Sequence, residues 1–433
     1  MKLPKFISNN IVLKITSVNA FVTGLRLVIS FFVQKQLAII LDSSGYKLYG
    51  DIRNLIPMLT STSSLGMFNG AVKYVAELKE NKPELSKVFS SITVFYVLGS
   101  LVTALVLFIG SYSISEYVFG TQEYQGVIKF LALMTPFIGL NRICSSVING
   151  KSDYKNYAKV ELFAYLINVI LLLLGLFYYD IKGVMIAIAL APLIQLIITF
   201  SVDGKTVISI IQPKKLKFNL SYRTQLISFT LMSFVSTFLI NYIDINLRGV
   251  IADRVSESDA GYWTAITFIS KNYMVFASGL FTLYVLPKFA KINNDYEFKK
   301  EVIYIYKTIL PIFGAGMIFV YLIRHLIINL IYEGFDGMEP LFKWQLFGDF
   351  IRLCFLVLTH QFLAKKMVKS YLFIEFFSLF IFYILSIFLV NKFQTEGIVI
   401  AHFLRSIAVL VVVVFIFRKA LFFSKKQDEL PED

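Results

Sequence analysis

Charged side chains set inside long apolar stretches are the residues of this sequence best placed to do chemistry. Arg26 lies twelve residues beyond Lys14, about 18 Å along a helix, too far to snorkel back to a headgroup. Holding an arginine at that depth costs at least about 2.5–3.5 kcal/mol, so a function, a counter-ion or a water-filled site must offset it. Either Arg26 is an anion ligand in a cavity, or it is the buried partner of Glu161 or Asp244; the cavity reading is preferred. Lys35 follows nine residues later, roughly 180° away on an ideal helix and near enough to the outer end to snorkel. Arg53 opens the second stretch and faces the same choice. Lys271 sits mid-stretch with Thr264, Thr267, Ser278 and Thr282 on its side. Arg248 follows Asp244 by four, the spacing of an intrahelical ion pair, and Asp349 and Arg352 repeat the pattern at three. Glu161 and Glu375 are expected to be structural partners for Arg142, Arg352 or Arg405; the alternative is a coupling proton or sodium ion.

Two polar stripes accompany these charges. Thr16, Asn19, Thr23, Arg26, Ser30 and Gln34 fall within a sector of about 80° on one helix, and Thr230, Ser233, Thr237, Asn241, Asp244 and Arg248 do the same on another. Ser, Thr and Asn pack membrane helices together; stripes that also carry charges point instead to a water-filled cavity. Apart from Arg53, Lys159, Lys343 and Asp203 at their ends, the apolar stretches hold eleven basic residues and four acidic ones. That surplus suits an anionic cargo such as a phosphate or pyrophosphate.

The elements that must hold these residues are membrane helices. Of 433 residues 57% are hydrophobic and 16% charged, and the mean hydropathy is +0.70. Soluble domains carry about a quarter charged residues, so a soluble enzyme is excluded. Apolar stretches at 15–41, 52–76, 88–112, 126–148, 158–179, 184–203, 225–251, 261–287, 302–331, 341–363, 370–391 and 398–417 predict twelve spans. The net charge of +14 is not a nucleic-acid footprint, because it is sorted by side. With the N-terminus inside, 25 Lys and Arg fall in cytoplasmic joints and termini, and six in the opposite joints: Lys47, Arg53, Lys182, Arg254, Lys343 and Lys392. That asymmetry places both termini in the cytoplasm. Arg26 interrupts the first stretch, which therefore reads as a retained span rather than a signal peptide.

The basic joint 204–224 divides the chain into an N-terminal six-helix lobe (1–203) and a C-terminal one (225–417), with a polar cytoplasmic tail at 418–433. Ile208, Ile211 and Leu216 give the joint an amphipathic, interfacial pattern. Tyr157, Glu161 and Gly183 are matched 214 positions later by Tyr371, Glu375 and Gly397. Lys129-Phe130 matches Lys343-Trp344 at that offset, and Lys73-Tyr74 matches Lys288-Phe289 at 215. The expected fold is thus an all-α membrane protein of two lobes related by a parallel internal repeat, a transporter architecture.

Enzyme signals are missing. His325, His360 and His402 lack metal-ligand spacing, Cys144 and Cys354 lie in apolar stretches, and Gly150-Lys151-Ser152 lacks the earlier glycine of a phosphate loop, Ser145 standing there. Neither an ATP site nor a metal is expected. The stretches MFNGAVKYVA (67–76), EYQGVIKFLAL (123–133), FTLMSFVSTFL (229–239), LYVLPKFAKI (283–292), LFKWQLFGDFIRL (341–353) and FLAKKMVKSYLFIEF (362–376) resemble Wzx-type flippases. Among these, lipid III flippases and O-antigen translocases of the multidrug/oligosaccharidyl-lipid/polysaccharide exporter superfamily are most alike. The resemblance runs over nearly the whole chain. It implies alternating access around a central cavity, and an undecaprenyl-pyrophosphate-linked oligosaccharide moved across the bacterial inner membrane. It also implies that Arg26, Lys35, Arg53 and Arg248 meet that cargo. At Lys271 the sequence departs from relatives that carry an acidic residue. The candidate ligands are thus Arg26, Lys35, Arg53, Asn241, Asp244, Arg248 and Lys271. Coupling to H+, Na+ or the membrane potential is expected, with a monomer acting alongside a polysaccharide polymerase. A cation-coupled drug exporter of the same superfamily is the alternative, with a membrane polymerase or ligase behind it; the first needs acidic cavity residues and the second long outer loops.

Overall fold

A computed structural model describes the backbone of residues 11–424 apart from 152, 293 and 366; the side chains of 11–23, 154, 282 and 283 fall outside the description as well. Thr16, Asn19 and Thr23 of the first polar stripe, Thr282 beside Lys271, and most of the tail therefore lie outside the described residues. All regular structure in the described residues is helical.

The helices follow from the sequence in a direct way. Isolated polar residues start them: Asn81 accepts from the backbone N–H of Glu84 at 3.2 Å and Asn294 from Glu297 at 2.8 Å. Asp153 and Ser256 cap in the same fashion. The apolar runs between caps are lengthy, and among the described residues eight helical stretches are long and apolar enough to cross a membrane. Their surfaces confirm the solvent: on Lys82–Ile109 the side chains of Leu98, Leu101, Val102, Val106 and Ile109 are more than half exposed. Water would not tolerate so large an apolar face on a monomer; lipid does. The chain is a multi-pass helical membrane protein.

Several helices outrun a bilayer and break. Helix α1 (Ile11–Ser63) has 53 residues, about 80 Å at 1.5 Å each against a hydrocarbon core of about 30 Å. It turns at Asp42, whose φ is 56° and whose carboxylate caps the next turn through the N–H of Gly45 at 3.0 Å. The following helices are α2 (Phe68–Leu78), α3 (Lys82–Ile109), α4 (Ser111–Phe119), α5 (Gln125–Gly150) and α6 (Tyr154–Ile211). α6 breaks at Tyr179–Asp180 and again at Asp203. At the first break Gly175 and Gly183 face each other so closely that a Cβ on Gly175 would lie 2.5 Å from the Gly183 carbonyl oxygen. Then come α7 (Arg223–Ser233), a π-helical turn at Phe234–Leu239, α8 (Ile240–Arg254), α9 (Glu257–Leu280), a second π turn at Phe281–Val285, and α10 (Leu286–Lys291). The rest is α11 (Asp295–Leu322), α12 (Arg324–Ile331), α13 (Glu339–Ala364) and α14 (Val368–Ile416), which breaks at Gln394.

The chain divides into two compact units, residues 1–249 and 250–433. The division falls within α8, so the seventh apolar stretch packs mainly with the first unit. Thr230 donates to the Leu65 carbonyl at 2.7 Å, and the Ser61 and Ser233 hydroxyls meet at 3.0 Å. The first unit holds two apolar cores, one around Phe89, Val147 and Leu226 and one around Ile52, Ile128 and Met185. Cys144 and Cys354 are buried free thiols.

Candidate functional site

Within the first unit, α1, α5 and α6 enclose a cavity of about 410 Å³. Its polar lining is Tyr49, Arg53, Thr60, Asn141, Arg142, Asn168 and Gln195. Two of these are cations and none is an anion. On α1 the lining positions 49, 53, 56, 57 and 60 recur at helical spacing, so one face of the helix turns to the cavity. Pro57 and Pro192 line the same space; each removes a backbone N–H and loosens the helix there.

The guanidinium of Arg53 donates to the Tyr49 hydroxyl at 2.8 Å. That of Arg142 stacks 3.5 Å from the Phe68 ring centre. Both contacts orient the cation at the cavity wall. Behind the lining runs a connected polar chain. Asn141 donates to Gln195 at 3.0 Å, Gln195 donates to Glu161 at 2.7 Å, and Arg26 donates to Glu161 at 3.2 Å. Tyr165 completes the setting, donating to the Arg26 carbonyl at 2.9 Å while its ring lies 4.8 Å beneath the guanidinium. Three arginines and one carboxylate leave this region with an excess of positive charge.

Arg26 therefore has the Glu161 partner that was the second of its two sequence readings. It does not itself line the cavity but reaches it through Glu161 and Gln195. Its side chain is 39% exposed, so the pair is open rather than sealed. Lys35 is half-buried and makes no hydrogen bond or ion pair among the described residues. Arg248 has a partner the sequence did not offer: Asp51 on α1, at 2.6 Å, with both side chains 3% exposed or less; Lys47 stands 3.9 Å from the same carboxylate. Burying α8 against α1 brings this acid to the guanidinium. Asn241 turns its amide back to the Thr237 carbonyl at 2.7 Å. For Thr230, Ser233, Asn241 and Arg248, the packing role describes the polar stripe better than the cavity role. Lys271 is exposed on the second unit, its ammonium 5.9 Å from the Phe268 ring.

Asp349 departs from its expected pairing. Its close basic partner is His402 at 3.0 Å rather than Arg352. Glu375, matched in sequence to Glu161, makes no ion pair within 4 Å among the described residues; Arg352 and Arg405 are the cations that act on it. Asn141, Arg142, Asn168 and Gln195 were not singled out as ligands from the sequence. Arg142 was visible as a midspan cation, but its neighbours on α5 and α6 come together only when those helices pack. The described residues hold no cluster of metal-ligating side chains.

A family model described as "Polysaccharide biosynthesis protein" matches residues 37–334. The Lipid III flippases of Escherichia coli (strain K12) and Shigella flexneri are each 27% identical over 347 residues, covering 79% of this chain and 83% of theirs. In fold, the chain is similar to an inward-facing multidrug resistance MATE family transporter of the MOP superfamily, with a TM-score of 0.75 at 13% identity, covering 91% of this chain and 96% of that one. It is also similar to the lipid II flippase MurJ in an inward closed conformation, with a TM-score of 0.69 at 17% identity, covering 93% and 89%. With an all-helical transporter fold, a cationic cavity in its first unit and a family match over most of its length, the chain belongs to the polysaccharide biosynthesis protein family.

Proposed function

We propose that the protein is a flippase that carries an undecaprenyl-pyrophosphate-linked oligosaccharide across the bacterial inner membrane by alternating access. The observation that carries this reading is the cavity lined by Arg53 and Arg142 with no carboxylate on its wall. Guanidinium groups on one cavity wall suit a pyrophosphate, whose oxygens accept charge-assisted hydrogen bonds, and the polar amides of Asn141, Asn168 and Gln195 suit sugar hydroxyls. The polyprenyl chain stays in lipid. The Lipid III flippase relatives favour this cargo class. A cation-coupled drug exporter, which the MATE-like fold would also serve, needs acidic residues where this cavity has arginines.

Further parts of the proposal concern the frame. Three of the eight membrane-length stretches break at internal non-helical residues, and α9 with α10 supplies a further crossing, which supports twelve spans. The offset near 214 recurs in the elements: α5 begins at 125 and α13 at 339, both 26 residues long. Asp180 (φ 49°, ψ −139°) and Gln394 (φ 51°, ψ −137°) share an unusual conformation 214 residues apart. These matches support two six-helix copies in parallel orientation, with both termini cytoplasmic. A monomer working beside a polysaccharide polymerase is the simplest assembly.

The test is complementation of a strain lacking its lipid III flippase, read as surface polysaccharide with protein levels measured alongside. The Arg53→Ala/Arg142→Ala double variant should lose display at least tenfold while inserting normally. Full display from a normally expressed double variant would remove the cavity from the transport path.

A further inference from the structure

The second unit holds a buried polar cluster that the cavity of the first unit does not explain. Asp349 on α13 is fully buried and takes four donors. Ser270 gives a hydrogen bond at 2.5 Å, Tyr273 a short one, Gln345 one at 3.1 Å, and the Nε2 of His402 one at 3.0 Å. On the other side of the imidazole, Arg405 lies 2.7 Å from Nδ1. A guanidinium has only donors to offer. Nδ1 must therefore accept, Nε2 must carry the ring proton, and His402 is neutral in this state. The ring is let in by Gly348, where a Cβ would lie 2.4 Å from His402 Cδ2.

The 214-residue offset sharpens the contrast between the units. Ile138, Ile188 and Ala191 line the cavity of the first unit, and Arg352, His402 and Arg405 stand at the matching sequence positions of the second. Conversely, the cavity's Asn141, Arg142, Asn168 and Gln195 are matched by Phe355, Leu356, Phe382 and Val409. The second unit has replaced a ligand-binding lining with a titratable one.

We propose that His402 is a proton-binding switch: taking up one proton at Nδ1, it expels Arg405, which moves to Glu375. The balance is simple. A proton from water forms an N–H bond at Nδ1, no other covalent bond changes, and Arg405 keeps its own protons. Two N–H groups cannot face each other at 2.7 Å, so the guanidinium must leave. Asp349, held by its remaining donors, stays to neutralise the imidazolium. Arg405 now rests 4.5 Å from the Phe382 ring centre and already acts electrostatically on Glu375, as does Arg352. The charged and titratable groups facing the switch are thus Tyr273 from α9, Asp349 and Arg352 from α13, and Glu375 and Arg405 from α14. Moving Arg405 from one partner to the other changes how the two arms of α14 are tied to α13. The ligand is a proton and the consequence a repacking of this unit; the inference does not depend on which cargo is carried.

The experiment uses the full chain in lipid nanodiscs without cargo, so its failure would not touch the flippase reading. The only two tryptophans are reporters within this unit: Trp263 is buried on α9, and Trp344 on α13 lies 5.5 Å from Phe403, next to the switch. Tryptophan emission should follow a single-proton transition as the pH is lowered from neutral. His402→Gln keeps a donor for Asp349 and an acceptor for Arg405 yet cannot take a proton, so it should abolish the transition and resemble the alkaline wild type. His360→Gln should keep the transition, and Glu375→Gln, which weakens the receiving site, should shift it to lower pH. Independently of any variant, ¹⁵N-histidine NMR of the wild type should show one ring protonated at Nε2 alone when alkaline and at both nitrogens when acidic. A transition that persists in His402→Gln, or histidine spectra in which no ring with that tautomer titrates, would overturn the switch.

Discussion

At the scale of single residues, the decisive quantity is whether a charge is sealed with its partner or left facing a cavity. Arg248 and Asp51 are sealed, at 2.6 Å. Such a pair contributes little net stability, but removing one member strands the other in a medium that cannot solvate it, costing about 3–5 kcal/mol. Arg248→Met and Asp51→Leu should each lower the thermal midpoint of the purified protein strongly. The double substitution should lower it by less than the sum, because the second change no longer breaks an intact pair; additive losses would show that the pair does not act as a unit. Arg53 and Arg142 are different. They line the cavity beside aromatic neighbours, so their removal should weaken transport more than folding. A midspan arginine announces itself in a sequence. Which of the two classes it joins depends on an acid elsewhere in the chain, and Asp51, in the joint just ahead of the second stretch, gave no sign of being that acid.

At the scale of elements, the basic joint between the sixth and seventh stretches is anchored more firmly than its composition suggests. Helix α6 continues through it to Ile211, burying Val207. Tyr222 then donates to Glu84 at 2.6 Å and packs edge-on to Tyr74 at 5.2 Å. The bonds from Tyr222 and Lys87 hold the Glu84 carboxyl below its usual range. The bond to Glu84, first, and then burial push the Tyr222 hydroxyl up to about 12. The signs follow. A depressed carboxylate adds stability above its unfolded pKa, about 4.3, and loses it as pH falls through the lower folded value. A raised phenol adds stability below about 10 and loses it as pH rises toward 12. The latch should stand across the neutral range and open at either extreme. Tyr222→Phe should accelerate trypsin cleavage in 204–224 at pH 8, and the gap in thermal midpoint between wild type and Glu84→Gln should close between pH 6 and 3. Equal cleavage rates, or a constant gap, would mean the contact holds nothing.

At the scale of the whole molecule, orientation and repetition remain to be tested by means that see the membrane. The count of 25 inner against six outer basic residues puts 204–224 on the cytoplasmic side and Lys182 on the other. Reporter fusions placed after Lys182 and after Lys215 should therefore report opposite compartments, and a shared compartment would invert or break the proposed topology. The paired caps at Asn81 and Asn294 and the paired breaks at Asp180 and Gln394 are what duplication of a six-helix unit would leave behind. On the proposed repeat, the two copies would differ in their buried polar residues, one holding a cationic cavity and the other a histidine cluster.

What the sequence determined by itself is the class of the protein: helical and membrane-borne, with a cationic interior and the family stretches that mark polysaccharide flippases. These are properties of composition, hydropathy and local pattern, which each segment carries independently of its neighbours. Tertiary structure alone decided the partners: Arg248 with Asp51 across 197 positions, Asp349 with His402 across 53, and Arg26 with Glu161 rather than with the cavity. The physical reason is that a buried charge chooses whichever opposite group packing brings within bonding distance. Helical spacing proposes only the neighbours on its own face, three or four residues away.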